Sequence, residues 1–183
     1  MVDEPEIFTP SSIIAMGFFA IVVTGVVGYL VLVLTRPGRD RQHQARQWMA
    51  FAHAHRGQFI PGSGVFGGNR IVVHQSYWQV VLETVTVSIM DAVRSGYFPD
   101  GGTYTVAKVR YHQPRGRDFK LSAGQVRALL TENGRWACQH LPAEALVVSS
   151  AHEGVVVMPG TSAADAQLWA AVTIAGELAS LAA

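Results

Sequence analysis

The chain has 183 residues, 49% of them hydrophobic and 15% charged, with a formal net charge of +1. That length holds one domain of ordinary size plus an extra segment, and the composition is more apolar than a soluble domain needs. The single cysteine, Cys138, excludes an intramolecular disulfide, which suits a reducing compartment.

The surplus of apolar residues is concentrated near the start. The run IIAMGFFAIVVTGVVGYLVLVL, Ile13 to Leu34, has 22 residues without a charge. As a helix rising ~1.5 Å per residue it is roughly 33 Å long, enough to cross a hydrocarbon core of about 30 Å. A transmembrane helix over 13–35 is therefore expected, with Thr9 or Ser11 as its cap and Pro10 suited to the first turn. A cleaved signal peptide would have a basic leader and a shorter run, whereas Asp3, Glu4 and Glu6 precede this one. A buried core helix of this length would be out of proportion to the residues left to cover it. No Lys or Arg precedes the span, while Arg36, Arg39, Arg41 and Arg46 follow it closely. Basic flanks stay on the cytoplasmic side, so residues 1–12 are expected outside and the rest inside, at the cell inner membrane.

Charge is distributed in blocks: residues 1–35, 36–135 and 136–183 carry formal charges of −3, +8 and −4. The four juxtamembrane arginines are candidate contacts for anionic lipid or an acidic partner, each nearby base being worth about 1 kcal/mol at an anionic leaflet. A basic linker over 36–42, broken by Pro37 and Gly38, leads to a cytoplasmic domain over 43–183. There DRQHQARQWMAFAHAHRG reads as a helix from Asp40, with Ala45, Trp48, Met49, Ala52 and His55 on one face and Gly57 as its stop.

Strand signals follow. RIVVHQ, YWQVVLETVTVS (77–88) and TYTVAKVRYH (103–112) are rich in β-branched and aromatic residues, with GNR, MDAVRSGYFPDGG and QPRGRD read as turns. DFKLS suggests a further short strand, GQVRALLTENG one short helix, and ALVVSS-AHEG-VVVMPG a hairpin. The last segment has an apolar stripe of Leu168, Ala171, Val172, Ala175, Leu178 and Ala179; Asp165, Gln167 and Glu177 argue for a packing helix over a second span. The order implies an α+β fold: one N-terminal transmembrane helix, a mainly antiparallel sheet and a C-terminal packing helix.

Sites with chemistry are scarce. GSGVFG (62–67) has G-x-G-x-x-G spacing, but the strand GNRIVVHQ follows it where a dinucleotide loop needs a helix. A kinase glycine loop with TVAKV (105–109) lacks H-R-D and D-F-G partners, so a turn from the helix into the first strand is the reading. Cys138 and His140 form a C-x-H without further ligands, and His152-Glu153 lacks the second histidine of H-E-x-x-H. His53 and His55 point to different helix faces. Glu83, an acid in an apolar strand, faces solvent or pairs with Lys108 or Arg110. Lys108, Arg110, Arg115, Arg117, Lys120, Arg127 and Arg135 lie beside aromatics, but a pI near 8.0 and the lack of a motif count against nucleic acid. No catalytic, cofactor-binding or metal residue is assigned.

The span itself says more. Gly17, Ala20, Thr24 and Gly28 form a small-residue groove on one face where another helix can approach. With no charge or histidine in the span, it offers neither a haem ligand nor a proton relay of its own. The expected function is a non-catalytic, single-pass accessory or scaffolding subunit of a larger membrane protein complex, of the photosynthetic or respiratory kind, with other membrane subunits and anionic lipids as partners. The rival from another class is a stand-alone tethered regulatory or ligand-binding domain, which would need a defined apolar pocket with His and Glu side chains.

Overall fold

The computed structural model describes residues 23–26, 42–62, 68–75, 78–112, 117–162 and 164–181. The chain forms two compact units, Met1–His43 and Gln44–Ala183. In the first, 23–26 are helical and exposed, Thr24 among them. The rest of the expected span, with Gly17, Ala20 and Gly28, lies outside the described residues, as do Arg36, Arg39 and Arg41. Among the described residues no helix is long and apolar enough to cross a membrane.

The second unit is α+β, with a seven-stranded antiparallel sheet and a C-terminal helix. The strands are β1 (Gln58–Ile60), β2 (Arg70–Gln75), β3 (Trp78–Val87), β4 (Gly102–Arg110), β5 (Phe119–Ser122), β6 (Leu146–Ser149) and β7 (Glu153–Pro159). Around them lie α1 (42–54), α2 (Ile89–Ser95), α3 (Ala123–Val126), α4 (Glu132–Cys138) and α5 (Asp165–Leu181). Strands β1 to β4 form a meander, and β7 returns beside β4 to give the order β1-β2-β3-β4-β7-β6-β5.

Alternation along the strands, with this register, makes two different faces. The row Ile71, Leu82, Ala107, Val156, Val147, Leu121 crosses six strands. It belongs to the main core with α1 and α5. Helix α5 lies at the centre of that core, touching β3, β4, β7 and α4. Residues 170–176 of α5 are all buried, so the expected stripe is in fact a helix enclosed nearly all round. Its Ala and Gly content permits that close packing. At one end α1 closes the layer: Trp48 is fully buried and its Nε1–H donates to Ser162 O at 2.9 Å. Ser162 N–H in turn donates to the buried Thr105 Oγ1 at 2.8 Å, tying α1, β4 and the approach to α5 together. At the other end Glu177 accepts from Thr131 N–H at 3.0 Å, occupying an orphan donor at the start of α4.

Four local expectations are corrected. On α1 the buried face is Trp48, Phe51 and Ala52, while Met49 is 54% exposed, because the helix packs against α5 through Phe51. The helix stops with Arg56 in the left-handed region (φ 53), and Gly57 N–H reaches Ala52 O at 2.7 Å. Gly57 serves close approach instead: a Cβ there would stand 3.0 Å from Val72 O. MDAVRSGYFPDGG is not a turn but contains α2, capped by Ser88, whose Oγ accepts from Asp91 N–H at 3.2 Å. GQVRALLTENG is split into α3, a 3-10 turn at Arg127–Leu129 and α4.

The glycine-rich run is also placed more closely than expected. Residues 63–67 of GSGVFG lie outside the described residues, but a strand stands on both sides of them, β1 before and β2 after. The segment therefore joins two antiparallel strands rather than a helix and the first strand. Its neighbour Gly68 is held so close to β3 that a Cβ would fall 1.8 Å from Thr84 O. Gly68→Ala is expected to lower stability by at least ~2 kcal/mol, since backbone has to move. Gly124→Ala in α3, where a Cβ meets nothing within 4 Å, is expected to be neutral or to add up to ~1 kcal/mol through helix propensity. Denaturant midpoints of the two variants check both signs.

Candidate functional site

The face of the sheet away from α5 is half covered and half open. Over β4, β7 and β6 it is apolar: Tyr104, Val106, Val148, Val155 and Val157 form a second cluster under Tyr97, Phe98 and Leu146. The segment after α2 folds across this cluster because its aromatic residues have it to bury against. Tyr104 O–H donates to Asp100 O at 2.8 Å, Lys120 Nζ donates to Gly96 O at 2.7 Å, and Tyr97 O–H donates to Glu153 Oε1 at 3.3 Å.

Over β2, β3 and the end of β4 the same face is an open depression of about 420 Å³, lined by Arg70, Gln79, Val81, Glu83, Lys108, Arg110, Tyr111 and His112. Strand alternation puts these groups together: Arg70 stands opposite Glu83, Val81 opposite Lys108, and Arg110 opposite Glu153. Arg70 Nη2 and Nε both reach Glu83 Oε2, at 2.7 and 3.2 Å. Lys108 Nζ lies 4.0 Å from Glu153 Oε2. Arg110 is exposed and makes no ion pair among the described residues. Three cations thus face two carboxylates on strands whose backbones cannot drift. Such a surface can hold an acidic group of a partner at Arg110 and Lys108 with little reorganisation.

Two tyrosines border Glu153. The Tyr97 hydroxyl is pushed above its ordinary range by burial and then by the Glu153 charge. Tyr111 is raised by burial too, against the opposing effect of its 2.9 Å hydrogen bond with Ser149 Oγ. Both stay neutral at physiological pH and act as hydrogen-bonding groups, not as bases.

Glu83 pairs with Arg70 on β2, not with Lys108 or Arg110. The register sets Val106 opposite it on β4, so those two cations lie further along the strand. Cys138 and His140 do not form a thiol–base couple. Cys138 is half buried, whereas the His140 ring lies 4.2 Å from that of Trp136, with Nδ1 3.1 Å from Trp136 O. His55 stacks on Trp169 at 4.2 Å and lies 3.5 Å from Asp165, joining α1 to α5. His53, His74 and His152 are exposed, and His112 stacks on Trp78 at 5.2 Å. Among the described residues no group of three His, Cys, Asp or Glu side chains could hold a metal ion. Of the basic cluster, Lys108 and Arg110 share the depression, Arg135 Nε donates to Leu130 O at 3.1 Å, Lys120 donates to Gly96 O, and Arg115 lies outside the described residues. Arg46 is exposed on α1.

Sequence reading found Glu83, Lys108 and Arg110 but not Glu153 or Tyr97 as their neighbours. The spacing of Lys108 and Arg110 at i and i+2 was the available signal, since it puts both on one face. Their partners required the β4–β7 pairing. No family model, curated protein or solved structure matches the chain.

Burial pushes the Cys138 thiol above its ordinary value of 9.0, with Arg127 pulling the other way. A raised folded-state value means stability is complete below the unfolded value and declines as pH climbs through the folded one. Between about pH 8 and pH 9.5 the urea midpoint of the protein is therefore expected to fall more than that of Cys138→Ser. Alkylation at neutral pH is expected to be slower than for a free thiol; fast alkylation and a parallel pair of pH profiles would contradict the burial.

Proposed function

We propose that this chain is a non-catalytic, single-pass accessory subunit of a larger membrane protein complex, of the photosynthetic or respiratory kind, at the cell inner membrane. In this reading residues 1–12 lie outside, 13–35 span the bilayer, 36–42 form a basic linker and 43–183 form a cytoplasmic docking domain. The uncharged run Ile13–Leu34 and the arginines that follow it support the anchor and its orientation. The small-residue line Gly17, Ala20, Thr24, Gly28 supports docking against another membrane helix. Arg36, Arg39, Arg41 and Arg46 suit anionic lipid headgroups.

The observation that carries the docking role is the open half of the sheet. One face of the sheet is closed by α5 and α1, and part of the other by the segment after α2. What remains presents Arg70, Lys108 and Arg110 in fixed register, with Glu83 between them on β3 and Glu153 beyond them on β7. A tethered ligand-binding domain would be better served by an enclosed apolar pocket, and this depression is partly open, with seven of its eight lining residues polar or charged in type. A charged surface in fixed strand register suits a protein partner of complementary charge.

Extraction of the full chain in mild detergent is expected to yield a stoichiometric complex with other membrane subunits. The pair Lys108→Glu and Arg110→Glu is expected to reduce the retained partner by about tenfold or more while leaving thermal unfolding within a few degrees of the parent. Recovery of the parent as a clean monomer would sink the proposal. Full retention of the partner by the charge-reversed chain would remove this face from it.

A further inference from the structure

Among the described residues, helix α2 carries the most exposed large apolar side chains of the globular unit. Ile89, Met90 and Val93 are 72%, 66% and 77% exposed. At ~100° per residue they occupy one arc of the helix, with Arg94 at one rim and Ala92, next to Ile89, at the other. Ala92 is the one buried residue of the helix, which thus meets the domain along the flank beside Ile89 and leaves Ile89, Met90 and Val93 open to solvent.

This side is held rigidly, which distinguishes it from a loose loop. Ser88 caps the start, its Oγ–H also donating to Asp91 Oδ2 at 2.7 Å. Gly101 lies against the first residue of the helix: a Cβ there would stand 2.9 Å from Ile89 N. Gly96 ends the helix in the left-handed region (φ 65), and Lys120 holds Gly96 O. Arg94 makes no ion pair among the described residues.

Its position in the fold points to an occupant. Gln44, where the globular unit begins, donates from Nε2 to Thr84 Oγ1 at 3.2 Å. Thr84 lies on the last part of β3, and β3 leads directly into α2. At ~3.3 Å per residue, Ser88 is within about 13 Å of Thr84 along the chain. The tethered end of the unit and the apolar side of α2 therefore lie at the same end of β3. From Leu34 to Gln44 the chain can extend at most about 36 Å. A bilayer holding Ile13–Leu34 keeps that end within reach of its own surface.

We propose that α2 rests in the bilayer interface, with Ile89, Met90 and Val93 among the upper acyl chains and Arg94 at an anionic headgroup. Three apolar side chains with a cation at the rim are what an interfacial contact uses. The contact orients the domain, so that the charged half of the sheet is presented to neighbours in a fixed attitude. This inference rests on the membrane-anchor reading above.

The test uses the full chain with Cys138→Ser, reconstituted in phosphatidylcholine–phosphatidylglycerol vesicles, with an environment-sensitive fluorophore on Val93→Cys. Matched labels on Val26→Cys and on Asn133→Cys, exposed on α4, serve as references. Spin-labelled lipid quenching at headgroup depth is expected to be about threefold stronger at position 93 than at 133, and to fall to the level of 133 when Ile89 and Met90 are changed to Ser. If the label at 93 is reached by aqueous iodide as readily as at 133 while that at 26 is quenched by lipid, the inference is overturned and the anchor stands. If the label at 26 is itself open to iodide, the anchor falls and the inference with it. A label at 93 shielded from both lipid and iodide would mean that a second copy of the chain covers α2, which also overturns it.

Discussion

Seven consecutive residues of α5, Ala170 to Gly176, are withdrawn from water among the sheet, α1 and α4. A helix can be enclosed in this way only if most of its side chains are small or shaped to their neighbours, and Ala170, Ala171, Ala175 and Gly176 meet that condition. The rest of the unit follows from it. One face of the sheet must be apolar along every strand, which fixes the register of Ile71, Leu82, Ala107 and Val156. Trp48 and Phe51 of α1 close one flank and Glu177 fastens α4 at the other. The polar atoms drawn in with them are answered: Trp48 Nε1, Ser162 N and Thr105 Oγ1 form one connected set.

The opposite face is then free to differ along its length. Where β4, β7 and β6 supply Tyr104, Val106, Val155 and Val157, the chain covers them itself with Tyr97 and Phe98. Where β2 and β3 supply Arg70, Gln79 and Glu83 around Val72 and Val81, the apolar area is smaller and the surface stays open. The boundary between the halves runs through Glu153, which meets Tyr97 on one side and Lys108 on the other. The position of the proposed docking surface is in this sense a consequence of where the aromatic residues of the α2 segment find a cluster to bury.

Much of this architecture was legible from residue patterns, and the exceptions have physical causes. The strands from Arg70 to Arg110 and the Leu146–Pro159 hairpin follow from β-branched alternation, which is a strong local signal. Helix α2 was hidden because its seven residues sit in a stretch rich in Gly, Pro and Asp, and only the Ser88–Asp91 cap announced it. The left-handed residue Arg56 was unreadable, since the neighbouring Gly57 is the obvious candidate until the distance to Val72 is known. The partner of Glu83 turned on pairing: both neighbouring strands offer bases, and register alone chose Arg70. The charged half of the sheet was half visible, as Lys108 and Arg110 at alternate positions, but its carboxylate came from β7, about 45 residues away in sequence.

The central claim is that the α5 side of the sheet is core and the far side is the working surface. Hydroxyl-radical footprinting of the protein in native membranes, compared with the detergent-purified chain, tests it most directly. Leu168 and Ile174 should be unreactive in both, while Val81 and Met90 should react in the purified chain and be protected in membranes. Equal reactivity of Val81 and Met90 in the two preparations, or ready oxidation of Ile174 in the purified chain, would contradict it.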